Sequence, residues 1–258
     1  MRIVSTACSN TEIVCALGCA EMLVGVDDHS DYPVDVVARL PRVGPDLAVD
    51  PHKVAALEPD LVLASLTVPG HEKVVAALEA AGLPVLAPEP HGLDDVLADV
   101  RTIAAALGVR ARGERLADEM AAALAPAPAI EGAQRPSILV EWWPKPVIAP
   151  GRRSWVHDLL ERAGATHPLA DDDTLSRPLS DDEVRERAPD AFVLAWCGVA
   201  PDKVRPDVVL GNPAWRELEA IRRGRVVEIP EALLGRPGPR LVEGYAALRA
   251  LVAELEES

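Results

Sequence analysis

Lys53-Val-Ala-Ala-Leu-Glu-Pro-Asp60 runs straight into Leu61-Val-Leu-Ala64, and Glu183-Val-Arg-Glu-Arg-Ala-Pro-Asp190 runs into Ala191-Phe-Val-Leu-Ala195. In both places a charged, helix-favouring segment stops at Pro-Asp and an apolar run follows. Proline cannot continue a helix. A short aliphatic run bounded by such a stop reads as a strand buried on both faces. A second echo follows each of these: Ala80-Ala-Gly-Leu-Pro-Val-Leu86 in the first half, Arg222-Arg-Gly-Arg-Val-Val-Glu-Ile229 in the second. Here a helix ends at glycine and another strand begins. The same order in both halves predicts two similar lobes.

Working outward, strand-like and helical runs alternate through the first half. Arg2–Thr6 precedes the helix Asn10–Leu17, which stops at Gly18; Val24–Val26 leads into a turn-rich segment; Pro51–Leu57 is helical and Leu61–Ala64 extended. Helix Glu72–Ala81 and strand Val85–Ala87 complete the set. Strands separated by helices of this length predict βαβ units and parallel sheets, an α/β fold. The middle differs. Leu93–Leu107 and Arg110–Leu124 form an almost unbroken Ala-rich helical stretch, ended by Ala125-Pro-Ala-Pro-Ala129. The alternation resumes at Ser137–Trp142. The expected division is an N-terminal α/β lobe over 1–92, a helical connector over 93–135 and a C-terminal α/β lobe over 136–258. The gap between two such lobes is the expected place for a small ligand.

Lysine and arginine number 26 against 41 aspartates and glutamates, a formal charge of −15. With the basic residues scattered, nucleic acid is excluded as a partner. Apolar residues make up 49% of the chain, too many for a disordered one. Cys8, Cys15, Cys19 and Cys197 show neither C-x-x-C spacing nor a disulfide framework. No run approaches the ~20 apolar residues of a membrane-spanning helix. Arg2-Ile-Val-Ser5 enters a strand with no apolar leader before it, so the chain as written reads as cytoplasmic, or as periplasmic or cell-surface if a signal was removed. The phosphate-loop, dinucleotide, nucleophile-elbow and zinc-helix motifs are all missing from the sequence. Its six histidines sit singly, so no metal site is expected. The reading is of a binder and not an enzyme.

Aromatic residues are only 3% of the chain, yet five are tryptophans: Trp142, Trp143, Trp155, Trp196 and Trp215. Trp142 and Trp143 follow the strand Ile138–Glu141, and Trp196 follows Phe192–Ala195. Ligands of parallel α/β sheets bind beyond the carboxyl ends of strands, so these rings are candidates for contact. Successive strand residues face opposite ways, so at most one of Trp142 and Trp143 faces the core. Trp155 stands at a helix start and is a candidate for the mouth of the site; Trp215 reads as an anchor. Tyr32 lies in a loop after a strand, placed to project. Arg236-Pro-Gly-Pro-Arg240 offers donors to amides or carboxylates at the rim. Large rings with few charges suit a broad, flat, partly apolar ligand.

Arg2-Ile-Val-Ser5, Ser9-Asn-Thr-Glu12, Ser30-Asp-Tyr-Pro33, the Leu57–Ala64 block, Glu141-Trp-Trp-Pro144 with Gly151, and Gly238-Pro-Arg-Leu-Val-Glu-Gly244 together resemble class III (cluster A-II) substrate-binding proteins of ABC importers. The similarity is nearest to the vitamin B12 (cobalamin)-binding branch. The resemblance implies two Rossmann-like lobes joined by a single connecting α-helix, here Arg110–Leu124, about 22 Å long. It implies a monomer that binds cobalamin without catalysis and passes it to a permease. Cobalamin is then a ligand, with no catalytic cofactor. Tyr32, Trp142 and Arg236 fall at the family's ligand positions, and Trp143, Trp155 and Trp196 stand near them. Transporter docking falls at His52 on the first lobe and at Asp182, with Glu183 adjacent, on the second. Cleft tryptophans of well-known members are replaced by Asp46, Ser65 and Ser176. Haem or an iron–siderophore is the alternative ligand, with Tyr32 or His29 on the metal. An enzyme acting on a corrinoid or another tetrapyrrole would use Cys8 or Cys197.

Overall fold

A computed structural model describes residues 1–128 and 134–257; the end of the proline-rich stretch, Ala129, lies outside them. The chain divides into two compact units: residues 1–90 with 94–120, and 91–93 with 121–258.

In the first unit, strands β1 (Ile3–Ser5), β2 (Leu23–Val26), β3 (Leu61–Leu63) and β4 (Val85–Leu86) form a parallel sheet in the order β2-β1-β3-β4. Helices α1 (Cys8–Ala16), α2 (Val34–Val37), α3 (Pro51–Ala56) and α4 (His71–Ala80) lie between the strands in sequence. Ile3, Val4, Val62 and Leu63 are fully buried, as two-sided parallel strands require. In the second unit, β5 (Ile138–Glu141), β9 (Ala191–Leu194) and β10 (Val226–Glu228) form a parallel sheet in the order β10-β9-β5.

The repeated Pro-Asp segments do the same work in both sheets. Asp60 accepts a hydrogen bond from the Arg2 backbone N–H at 2.7 Å, and Asp190 accepts one from Ser137 N–H at 2.8 Å. The return bonds match: Asp60 N–H to Arg2 O at 2.8 Å, Asp190 N–H to Ser137 O at 2.7 Å. Two residues before each aspartate the backbone is left-handed, at Glu58 (φ +48°) and Ala188 (φ +39°). The second echo also holds. Gly82 (φ +75°) and Gly224 (φ +66°) sit in the left-handed region that a side chain resists, just beyond α4 and just beyond α10 (Glu219–Arg222).

Two expectations need correction. The helical stretch over 93–124 is a hairpin. Helix α5 (Leu93–Ala106) ends at the turn around Gly108 (φ +74°), and α6 (Arg110–Ala123) folds back on it. Arg101 on α5 pairs with Glu114 at 2.7 Å and Asp118 at 2.9 Å on α6. A Cβ at Gly113 would collide with that of Ala104, so glycine permits the close approach. The chain passes between the units just before α5, at the start of α5 and again inside α6.

The sheets are also not all parallel. After β5 the chain forms β6 (Trp143–Pro144), β7 (Val147–Pro150) and, later, β8 (Ser176–Leu179), an antiparallel sheet in the order β6-β7-β8. The remaining helices of this unit are α7 (Trp155–Ala163), α8 (Asp181–Arg187), α9 (Pro206–Leu210), α11 (Glu231–Leu234) and α12 (Leu241–Glu256). Ser154 caps α7 by accepting from Val156 N–H, and Gly164 (φ +91°) closes it. Its inward face is Trp155, Val156, Leu159, Leu160 and Ala163.

Because each carboxylate satisfies a backbone N–H at the start of the neighbouring strand, Asp60→Ala and Asp190→Ala should each lower the unfolding free energy by about 1 kcal/mol. Denaturant unfolding of the single variants measures it; a change below ~0.3 kcal/mol in both would show that the ladders alone hold these strand starts.

Candidate functional site

Tyr32 is 44% exposed, in a loop held by a buried polar network. The hydroxyl of Ser30 donates to Asp27 Oδ1 at 2.5 Å and meets Thr11 Oγ1 at 2.9 Å, while His29 N–H donates to Asp27 Oδ2 at 2.9 Å. Arg42 closes the loop from outside, donating to the carbonyls of Asp27 and Ser30 at 2.7 Å each. Burial pushes the Asp27 carboxyl above its ordinary value, and its hydrogen bonds from Ser30 and His29 oppose that. Beside this loop Asp46 stands between two imidazoles: His29 Nε2 at 3.6 Å and His71 Nε2 at 3.3 Å. The hydrogen bond from His71 holds Asp46 below the usual carboxylate range. His29 was a named candidate; its carboxylate partner and His71 carry no spacing signal in the sequence.

In the second unit Trp143 is 43% exposed and Trp142 half-buried, as strand alternation requires. The Trp142 ring lies 6.2 Å from that of Trp155, tilted by 33°. Trp155 is buried and its indole N–H donates to the Leu234 carbonyl at 2.7 Å, so it supports Trp142 from below. The indole N–H of Trp142 is buried with no partner among the described residues. Trp196, expected beside Trp142 as a contact, sits in the core with Leu139, Leu194 and Val209, only 5% exposed. Its indole donates to Glu141 Oε2 at 3.2 Å. Trp215 is an anchor, stacked on Phe192 with centroids 5.4 Å apart. Arg236, expected at a rim, is mostly buried and pairs with Glu231 at 3.2 Å.

Sequence reasoning missed two groups here. Glu141 ends an otherwise aliphatic strand, fully buried, with burial pushing its carboxyl up to about 7. A lone acid after Ile-Leu-Val was the available signal. His157 Nδ1 and His167 Nε2 lie 2.8 Å apart, and burial lowers His167 to about 4.

Of the docking candidates, His52 is exposed in the first turn of α3, where Asp50 accepts from its backbone N–H at 2.9 Å. Asp182 is exposed in the first turn of α8 and pairs with Arg185. Glu183 is committed locally. It completes a capping box with Ser180 and pairs with Arg177 at 2.8 Å.

Two α/β units, each placing aromatic or polar groups beyond its strand ends, define a bilobal substrate-binding protein. The chain belongs to the periplasmic binding protein family, whose model matches residues 3–233. It is 30% identical over 254 residues to the ABC transporter substrate-binding lipoprotein YvrC of Bacillus subtilis, covering 96% of this chain and 78% of that protein. It is 23% identical to the vitamin B12-binding protein of Pectobacterium atrosepticum, over 99% of this chain and 89% of the relative. Among solved structures it is similar to the periplasmic heme-binding protein RhuT of Roseiflexus sp. RS-1, with a TM-score of 0.83, 30% identity, and 99% and 98% of the two chains covered. The cytoplasmic reading of the sequence finds no support in relatives described as lipoprotein and periplasmic. No helix among the described residues is long and apolar enough to cross a membrane.

Ionising Glu141 in the folded chain costs stability. Its folded value is raised to about 7 from an ordinary 4.5. Its stabilising contribution is therefore present below 4.5 and lost as pH rises through 7, a loss on the order of 3 kcal/mol. Glu141→Gln should match the parent near pH ~4.5 and exceed it in unfolding free energy at pH ~8. Urea titrations at both pH values check this, and equal curves at the higher pH would contradict it.

Proposed function

We propose that this protein binds a metal-containing tetrapyrrole, cobalamin ahead of haem, and delivers it to an ABC permease without transforming it. The observation that carries the reading is the aromatic group on the second unit: Trp143 exposed, Trp142 half-buried, and Trp155 packed beneath it. Large rings offer flat area at low entropic cost, which suits a macrocycle. Tyr32 is the exposed ring of the first unit, on its braced loop. Cobalamin is favoured by the Ser30-Asp-Tyr-Pro33 segment and by relatives named for vitamin B12 that match along most of the chain. Binding is one macrocycle per monomer, on the outer side of the cytoplasmic membrane.

A specific observation favours haem as the second reading. His29, an imidazole able to ligate a metal, stands with its Nε2 3.6 Å from the Asp46 carboxylate. RhuT, named as heme-binding, is also 30% identical. Titration with cyanocobalamin and with ferric haem separates the two. Cobalamin should quench tryptophan emission at one equivalent, and Trp142→Ala and Tyr32→Ala should each weaken it several-fold to about tenfold, the scale of a lost ring contact. A Soret shift abolished by His29→Ala, with no response to cobalamin, would move the assignment to haem. No response to either ligand would end it.

Docking rests on Asp182, whose side chain is the more exposed and whose pair with Arg185 lies at the surface, whereas Glu183 is tied up as a helix cap and by Arg177. Charge pairs at an interface set encounter and register. In liposomes carrying a vitamin B12 permease, Asp182→Ala should abolish stimulation of ATP hydrolysis and leave ligand affinity unchanged, while His52→Glu should strengthen docking. Stimulation untouched by both variants would remove these residues from the interface.

A further inference from the structure

Two aliphatic side chains of the first unit stand in water: Leu47 is 51% exposed, and Val68, in the loop after β3, is 40% exposed. A buried histidine clips their two segments together. Val68 N–H donates to His71 Nδ1 at 3.3 Å, and His71 N–H donates back to the Val68 carbonyl at 3.1 Å. With Nδ1 acting as acceptor, the proton of the ring sits on Nε2, which donates to Asp46 Oδ2 at 3.3 Å. Asp46 Oδ1 accepts from Leu47 N–H at 2.9 Å. Gly70 (φ +107°) leaves room for the Leu47 side chain, since a Cβ there would lie 3.1 Å from Leu47 Cδ2.

The same segment is tied to the loop that carries Tyr32. Asp28 N–H donates to the Gly44 carbonyl at 2.9 Å, and His29 Nε2 lies 3.6 Å from Asp46 Oδ1. The Asp46 side chain is 31% exposed, so its carboxylate reaches solvent. A carboxylate has about four acceptor positions, and the hydrogen bonds from His71 and Leu47 fill two of them. Among the described residues no lysine or arginine pairs with Asp46; its charged or titratable neighbours are the two imidazoles and the buried Asp27. The first unit therefore carries, next to its exposed ring, an accessible acid flanked by a fixed aliphatic pair.

An exposed acceptor with no full cation beside it attracts N–H donors and repels anions. Exposed aliphatic groups set beside it suit a ligand edge that carries methyl groups among its amides. The rim of a corrinoid is built that way, with methyl groups and primary amides, whereas the rim of haem ends in propionate carboxylates that would meet the acid. We propose that Asp46, with Leu47 and Val68 beside it, is the selectivity element of the first unit: its carboxylate accepts an N–H from a rim amide of the macrocycle and turns away a macrocycle whose rim carries acids. This assignment rests on the tetrapyrrole reading given above and names the residues that would choose among its ligands.

The probes are cyanocobalamin, the separated monocarboxylic acids made by hydrolysing one of its rim amides, and ferric haem, each titrated into the full chain by calorimetry. The parent should bind one of the monoacids about tenfold more weakly than cyanocobalamin, the scale of a screened repulsion between facing carboxylates, and haem more weakly still. Asp46→Asn keeps an acceptor for His71 and removes the charge, and should close the gap between cyanocobalamin and that monoacid to about twofold. The gap is a ratio of two affinities in one protein, so it does not depend on how much of the variant folds. Leu47→Ser combined with Val68→Thr alters only exposed side chains. It should weaken cyanocobalamin and the monoacid alike, by about threefold to tenfold, and keep the gap between them. Equal binding of cyanocobalamin and every monoacid by the parent, a gap that survives Asp46→Asn, cyanocobalamin binding untouched by the double variant, or a parent that prefers haem would overturn this proposal and leave the tetrapyrrole reading standing. A parent that binds no macrocycle at all would overturn both.

Discussion

Each of the two parallel sheets in this protein is pinned at its start by one carboxylate. The strands run only two to four residues, so a ladder contributes few hydrogen bonds and could slip. A slip of one residue would turn every side chain to the opposite face, and in a sheet buried on both sides nothing polar marks the error. Asp60 and Asp190 remove that freedom by binding the first backbone N–H of the neighbouring strand. The left-handed residues Glu58 and Ala188 are what let the chain turn sharply enough to bring those carboxylates back. With the starts fixed, the ends are fixed too. Asn10 can then donate to the Ala64 carbonyl at 2.6 Å, and Cys197 N–H can reach Trp142 O at 3.0 Å.

Beyond those ends the two units use a buried acid in different ways. Asp27 receives Ser30 Oγ and His29 N–H, and its network shapes the loop that carries Tyr32. Among the described residues Glu141 receives a single donor, Trp196, and its other oxygen has no partner. Burial raises both, and the number of opposing donors separates them. A carboxylate surrounded by donors is a structural latch.

The parallel strands and their helices were legible because aliphatic runs, Pro-Asp stops and glycine C-caps are local signals. Gly108 was visible as a break, but nothing local said that α6 would fold back on α5; that depends on Arg101 meeting Glu114 and on the missing Cβ of Gly113. The antiparallel sheet was hidden because Pro144, Pro146 and Pro178 make its strands look like loops. It survives because the paired segments are short and lie outside the central sheet. The site divides in the same way. Trp142 and Trp143 could be read from strand alternation, whereas Asp46 joins His29 and His71 across wide sequence separations that carry no periodicity.

Trp196 shows why a ring placed after a strand is not automatically a contact. This chain has a single phenylalanine, Phe192, so buried tryptophans must do the packing that phenylalanines do elsewhere. Each buried indole also has an N–H to place. Trp155 gives its own to the Leu234 carbonyl and thereby sits rigidly under Trp142. Trp196 gives its own to Glu141, the residue immediately before Trp142. Trp142 is therefore backed by one buried ring, and the residue before it is held by another. An aromatic surface held this way loses little entropy when a flat ligand settles on it. Scarce aromatics are concentrated around β5, so one strand end carries both the scaffold and the face proposed for the ligand.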